Sequence, residues 1–264
     1  MMIERHWQAL YRNRRWRGGP VLNSALSGIE QALWDIQGKA LGVPVYQLLG
    51  GPYRDRVKCY ANAWFRGASS IEERVERALW VVEELGYEAM KWGPFGGGKL
   101  TERESVAHAV EEVRAIREAV GEDVDLLIEC AEGFSPRTAI RAAKALEPFN
   151  IYFLEEPVGY ENIAAMARVN RESPVPIATG ERLYNKYQFR ELLEAQACDI
   201  IQPDLTHIGG IMECKKVAAL AEAWYVPVCP HNSGGPISHA ASLALAGCIP
   251  NFGILEAFVD EAQF

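Results

Sequence analysis

Six polar residues of this chain stand at the ends of short apolar runs. DLLIEC carries Glu129, YFLEEP carries Glu155 just before Pro157, and VPIATGE ends in Glu181. IIQPD ends in Asp204, VPVCPH in His231 and FGILE in Glu256, so the successive intervals are 26, 26, 23, 27 and 25 residues. A carboxylate at the edge of a buried run is costly to desolvate unless it is paired or holds a metal. Glu129, Glu155 and Glu181 offer three hard oxygen ligands, a set that suits Mg2+, which leaves positions for water and for a substrate oxygen. A divalent ion gripping a substrate carboxylate would stabilise the dianionic enediolate formed when the neighbouring proton is removed. His231 is the candidate base for that step, because Asp204 ends the neighbouring run and could pair with the imidazole, fixing its tautomer and favouring its protonated form. His207 reads as a loop residue, whereas His6, His108 and His239 fall in helical patterns.

The gaps between these residues hold helical patterns: RTAIRAAKALE, ENIAAMARV, KYQFRELLEA, IMECKKVAALAEA and ISHAASLALAG. Buried strands alternating with helices predict parallel βα units, and roughly 30 residues per unit is what a closed eight-unit barrel needs. In that architecture the carboxyl ends of the strands converge on one face, which would bring the six residues to one site. Two earlier strands, VKCYAN over 57–62 and YEAMKW over 87–92, bring the expected strands to eight. The second runs into Gly93–Lys99, which satisfies GxxxxGK, but Leu100 stands where a nucleotide-binding loop needs Ser or Thr. Thr101 to Glu104 reads instead as a capping box for the next helix. Ahead of the strands, residues 3 to 15 predict a helix with Ile3, Trp7, Leu10 and Tyr11 on one face, and Ser24 to Leu41 predict a second. An extended GVPVYQLLGG follows, and no strand is expected before Val57.

Composition narrows the class. The chain has 264 residues, 49% hydrophobic and 23% charged, which suffices for a large core. A net charge of -8 disfavours nucleic acid and anionic membranes as partners, and the five arginines between Arg5 and Arg17 fit a solvated amphipathic helix. Six scattered cysteines without a CxxC pair predict reduced thiols and a cytoplasmic setting. Neither a secretory leader nor a membrane-spanning run is expected.

The run ALSGIEQALWDIQGKALGVPVYQLLG, Ala25 to Gly50, resembles the signature of the mandelate racemase and muconate-lactonising branch of the enolase superfamily. EEP, GERL, QPDLTHIGGI, PHNSGGP and PNFGILE agree with it in order, and the likeness is greatest to acid-sugar dehydratases of the galactonate type. The resemblance implies an α/β fold in which a cap closes a (β/α)7β barrel, here with residues 1–56 as a partial helical cap and 57–264 as the barrel. It implies metal ligands at Glu129, Glu155 and Glu181, the first of which is usually aspartate. Lys91 matches the first lysine of the family's KxK element and would orient the substrate carboxylate, while the second, base-forming lysine position is Gly93. Glu256 would hydrogen-bond the substrate carboxylate, and Arg182 and Asn232 are candidate polar contacts. The dehydratase's acid histidine falls at Ala131; the adjacent Glu132 would face away if the strand's extension continued.

The function implied is a Mg2+-dependent dehydratase acting on a small-molecule sugar acid, giving a 2-keto-3-deoxy acid, with His231 acting on both steps. A metal-binding barrel without turnover is the alternative. It is favoured by Ala131, by the missing cap strands and by a chain that stops eight residues after Glu256. A racemase or epimerase is the third reading, opposed by Gly93 and Ala131. Apolar surface left by a partial cap would favour a homo-oligomer.

Overall fold

The computed structural model describes residues 1–12 and 15–259. In chain order these form α1 (Ile3–Arg12), α2 (Pro20–Leu41), α3 (Val45–Leu48), β1 (Cys59–Asn62), α4 (Ile71–Glu83), β2 (Ala89–Trp92), α5 (Glu102–Val120), β3 (Asp125–Glu129), α6 (Pro136–Leu146), β4 (Phe153–Glu155), α7 (Ile163–Glu172), β5 (Ile177–Thr179), α8 (Lys186–Glu194), β6 (Ile200–Ile201), α9 (Ile211–Glu222), α10 (Pro236–Cys248) and β7 (Leu255–Phe258). The chain divides into two compact units. One comprises Met1–Lys58, Gly180–Leu193 and Ile201–Leu255; the other comprises Cys59–Thr179, Glu194–Ile200 and Glu256–Phe264.

The second unit is an α/β layer arrangement. All seven strands have residues in it and form one sheet in the order β6-β5-β4-β3-β2-β1-β7. The pairings from β1 through β5 are parallel, with Leu127 opposite Phe153, Glu129 opposite Glu155 and Leu154 opposite Ile177. Parallel strands with both faces covered read as continuous apolar runs rather than alternations, which is why Leu126, Leu127, Ile128, Phe153 and Leu154 are all fully buried. The capping box at α5 is present: Thr101 accepts from the Glu104 amide, and the Glu104 carboxylate accepts from the Thr101 amide at 2.9 Å. The preceding Gly96–Gly98 segment has positive φ at all three glycines, which lack the Cβ that makes this region costly.

The first unit is built on α1, α2, α3, α9 and α10 with most of α8. Four sequence expectations change here. The segment expected as the seventh of eight strands, VPVCP, is not a continuous strand among the described residues; it forms isolated parallel bridges, Ile201 to Val228, Asp204 to His231 and Val228 to Phe252. Pro227 and Pro230 remove two amide donors around Val228 and Cys229, so a full ladder cannot form. The segment after α2 contains the single turn α3, started from Pro44, whose fixed φ suits a helix entry. The helix expected over residues 3–15 is seen as α1 from Ile3 to Arg12; Asn13 and Arg14 lie outside the described residues, and Arg15 is not helical. The helix expected from Ser24 begins earlier, with Pro20 at its first position, where the absent amide costs nothing. No described helix is long and apolar enough to cross a membrane.

Candidate active site

Within the second unit, the ends of β2, β3, β4 and β7 deliver a lysine and three glutamates to one cluster. Lys91 is buried, with Nζ 2.8 Å from both carboxylate oxygens of Glu155. The same ammonium lies 3.1 Å from Glu256 Oε1 and 3.7 Å from Glu129 Oε2. Register explains the neighbours: Glu129 and Glu155 are direct partners across β3 and β4. Asn62, at the end of β1, donates to Glu256 at 2.5 Å, and the Tyr60 ring lies 5.5 Å from Nζ. Burial alone would lower the lysine's pKa, but Glu155, Glu256, Tyr60 and Glu129 hold it well above the usual lysine value. The same burial, with Glu256 close by, pushes the Tyr60 hydroxyl well above its usual range. Three carboxylates around one ammonium leave a surplus of negative charge in a low-dielectric place. That donor set, all oxygen and largely anionic, fits a hard divalent ion.

The turn after β3 is unusual. Ala131 and Glu132 both adopt left-handed backbone, at φ 49° and 58°, so the strand's extension stops at Glu129. The Glu129 carboxylate folds back to accept from the Ala131 amide, and Glu132 accepts from the Tyr160 amide at 3.1 Å. The continued extension that would have turned Glu132 away therefore does not occur. Ala131 supplies no proton. Gly93 lies beside Glu129, and a Cβ there would come within 3.3 Å of the Glu129 carbonyl oxygen and 3.9 Å of its Cβ. A cavity of about 400 Å3 opens beside Glu129, lined by Gly93, Phe95, Ala131 and Phe134 among others.

Within the first unit a second group forms on the loops after β5 and β6 and at His231. Asp204 Oδ2 is 2.7 Å from His231 Nδ1, and its other oxygen accepts from the Thr206 amide at 2.6 Å and the Thr206 hydroxyl at 2.5 Å. Burial would raise the Asp204 pKa, but the bonds from His231 and Thr206 and the charge of the histidines hold it below the usual aspartate value. An ionised Asp204 can only accept, so His231 Nδ1 carries a proton and Nε2 is the nitrogen left for chemistry. Nε2 lies 3.1 Å from Glu181 Oε2. Arg182 Nη2 is 3.3 Å from the other Glu181 oxygen. Asn232 is buried, accepting from Ser238 at 2.6 Å and lying 3.0 Å from His239 Nδ1, so it ties the His231 loop to the start of α10.

The structure thus brings Lys91, Glu129, Glu155 and Glu256 together in one unit, and Glu181, Arg182, Asp204 and His231 together in the other. Sequence reading passed over Asn62 and Thr206, whose only signal was a place near a strand end. It also set aside His239, which lies on a helix as expected but meets Asn232.

Residues 73–264 match the family model for the enolase C-terminal domain-like family. Residues 1–50 match the mandelate racemase / muconate lactonizing enzyme N-terminal domain. The chain belongs to the enolase superfamily. Its relatives within the superfamily include the D-xylonate dehydratase of Haloferax volcanii, 40% identical over 96% of this chain and 64% of that protein. The D-gluconate dehydratase of Thermoproteus tenax is 42% identical over 90% of this chain and 48% of its own length. The D-galactonate dehydratase of Cronobacter sakazakii is 41% identical over 90% and 61% respectively. The chain therefore spans about half to two thirds of the length of these curated relatives. A crystal structure of an enolase superfamily member from Salmonella Typhimurium superimposes with a TM-score of 0.91 at 34% identity, covering 98% of this chain and 72% of that one. In this superfamily member, then, the resemblance first seen between Ala25 and Gly50 extends over both family models.

Proposed function

We propose that this chain is the core of a Mg2+-dependent sugar-acid dehydratase, with residues 1–56 as a partial cap and 57–264 as a (β/α)7β barrel. The observation that carries the reading is the Asp204 to His231 pair, whose geometry leaves Nε2 as the proton-accepting atom. The names of the relatives, dehydratases of xylonate, gluconate and galactonate, support the substrate class.

Glu129, Glu155 and Glu181 would hold the ion, since the first two are paired across adjacent strands and the third follows the end of β5 by two residues. When bound, Mg2+ supplies the positive charge that makes the proton next to a carboxylate acidic. Lys91 and Glu256 bind the substrate carboxylate; the ammonium neutralises it and the glutamate fixes its orientation. His231 Nε2 takes the α-proton, and Asp204 stabilises the imidazolium through Nδ1–H. The electron pair of the broken C–H bond forms the new double bond as the C–OH bond to the β-carbon breaks. His231 returns its proton to the departing hydroxyl, which leaves as water, and the enol relaxes to the 2-keto-3-deoxy acid. Arg182 contacts the distal hydroxyls, whereas Asn232 acts by holding the His231 loop. The six scattered cysteines support a reducing, cytoplasmic setting, and exposed apolar residues along α2, including Val21, Leu22, Ile29 and Ile36, support self-association.

The test is to incubate the purified chain with MgCl2 and a panel of aldonic and aldaric acids, measuring 2-keto-3-deoxy products, with His231→Ala as control. Turnover abolished in the variant supports the reading. The absence of turnover, with Mg2+ still bound, would favour a barrel that binds metal without catalysis, the reading to which Ala131 points.

A further inference from the structure

Asp204 stands between two histidines. The oxygen that meets His231 Nδ1 at 2.7 Å also lies 3.9 Å from Nε2 of His207, a loop residue three positions on. The other ring nitrogen of His207, Nδ1, is 2.8 Å from Ser24 Oγ on α2. A serine hydroxyl has one proton to give. Ser24 gives it to the carbonyl of Pro20, one turn back on the same helix, so toward His207 its oxygen can only accept. His207 must then carry a proton on Nδ1, and Nε2 is the nitrogen turned to Asp204.

The loop around His207 is fastened to α2 at two further points. Ser27 accepts from the Gly209 amide at 2.8 Å, and Gln31 donates to the Leu205 carbonyl at 3.1 Å. Ser24, Ser27 and Gln31 are spaced three and four residues apart, which puts them on one face of the helix. Trp7 of α1 adds a bond to the Gly209 carbonyl at 2.8 Å.

We propose that His207 is a positioning residue for the Asp204 to His231 pair, joining α2 to that pair through Ser24. The role is mechanical. Ser24 sets the tautomer and direction of the His207 ring, and the His207 and Ile208 amides donate to the Asp204 carbonyl at 3.1 and 2.9 Å, so a ring anchored to α2 fixes the backbone that carries Asp204. Asp204 then has one orientation in which to receive His231 Nδ1–H, and the Nε2 lone pair is aimed before substrate arrives. Residues 1–50, matched to the N-terminal domain family, thereby influence a base some two hundred residues away without touching substrate.

The activity arm of the test rests on the dehydratase reading; the spectroscopic arm does not. On the chain labelled with 15N-histidine, the wild-type spectrum should show His207 protonated at Nδ1, with that preference lost in Ser24→Ala. His207→Ala should shift the His231 ring resonances. With a sugar-acid substrate, His207→Ala and Ser24→Ala should each lower kcat and the α-proton exchange rate about tenfold, the usual size for an outer partner, with KM changed less than about twofold. His207→Asn, whose side-chain amide can donate to Ser24 in place of Nδ1–H, should restore kcat to within about threefold of wild type. A wild-type His207 protonated only at Nε2, unmoved His231 resonances in His207→Ala, or an unchanged kcat in that variant would each overturn the proposal. If no sugar acid is turned over, the reaction reading fails while the His231 resonances still decide the positioning role.

Discussion

Lys91 Nζ lies 2.8 Å from each carboxylate oxygen of Glu155, and both side chains are almost wholly shut off from solvent. The lysine is thus the counter-ion that lets β4 end in a buried charge.

Replacing it with an apolar residue of similar length should therefore be costly. Lys91→Met leaves Glu155 and Glu256 buried without their ammonium, and we expect a loss of about 3–5 kcal/mol in unfolding free energy. MgCl2 should raise the Tm of this variant more than that of wild type, because the ion replaces part of the missing charge. Thermal unfolding with and without MgCl2 measures both effects; equal Tm values for variant and wild type would show that the pair contributes little.

His231→Gln keeps a hydrogen-bonding side chain but no titrating nitrogen. The expected outcome is a fall in kcat of about 10²–10⁴-fold, the usual share of a general base, with Mg2+ affinity preserved. Product assays alongside titration calorimetry with MgCl2 separate the two.

Asp204 predicts an acid limit. Its folded-state pKa is depressed below the usual 3.8, chiefly because His231 and Thr206 outweigh the burial that would raise it. Its contribution to stability is therefore complete above the unfolded value and is lost as pH falls through the lowered folded value. Urea unfolding from pH 6 down to pH 3 should show wild type losing more stability than Asp204→Asn below pH 4. Parallel curves would contradict the assignment.

Gly210 predicts a backbone limit. It has φ 100°, and a Cβ there would fall onto the Glu30 carboxylate. That carboxylate accepts from the Ile211 and Met212 amides at 2.8 and 2.9 Å and from Trp34 at 2.6 Å, capping the start of α9. Gly210→Ala should cost about 2–4 kcal/mol through strain and lost capping bonds. A Tm within a degree of wild type would show that the loop relaxes freely.

The chain positions of these groups were legible before any coordinates. Glu129, Glu155, Asp204 and His231 were visible because apolar runs of strand length stop at charged or polar residues, and buried strands tolerate charge only at their ends. The capping box at Thr101 was equally local, and it is present as expected. Local readings failed where proline or left-handed backbone intervened. Pro227 and Pro230 reduce one expected strand to isolated bridges, Pro44 starts a turn of helix inside a segment expected to be extended, and the φ values of Ala131 and Glu132 end an extension that side-chain pattern alone would have continued.

The sequence by itself determined where along the chain the chemistry-bearing side chains stand, because strand and helix lengths impose a period and each unit of that period ends on a polar residue. Only the tertiary structure decided which groups they meet. Lys91 finds Glu155 across 64 positions and His207 finds Ser24 across 183, and neither separation follows from any repeat in the chain. Partners so distant are chosen by packing and by the need to pair each buried polar atom, and those are properties of the folded chain.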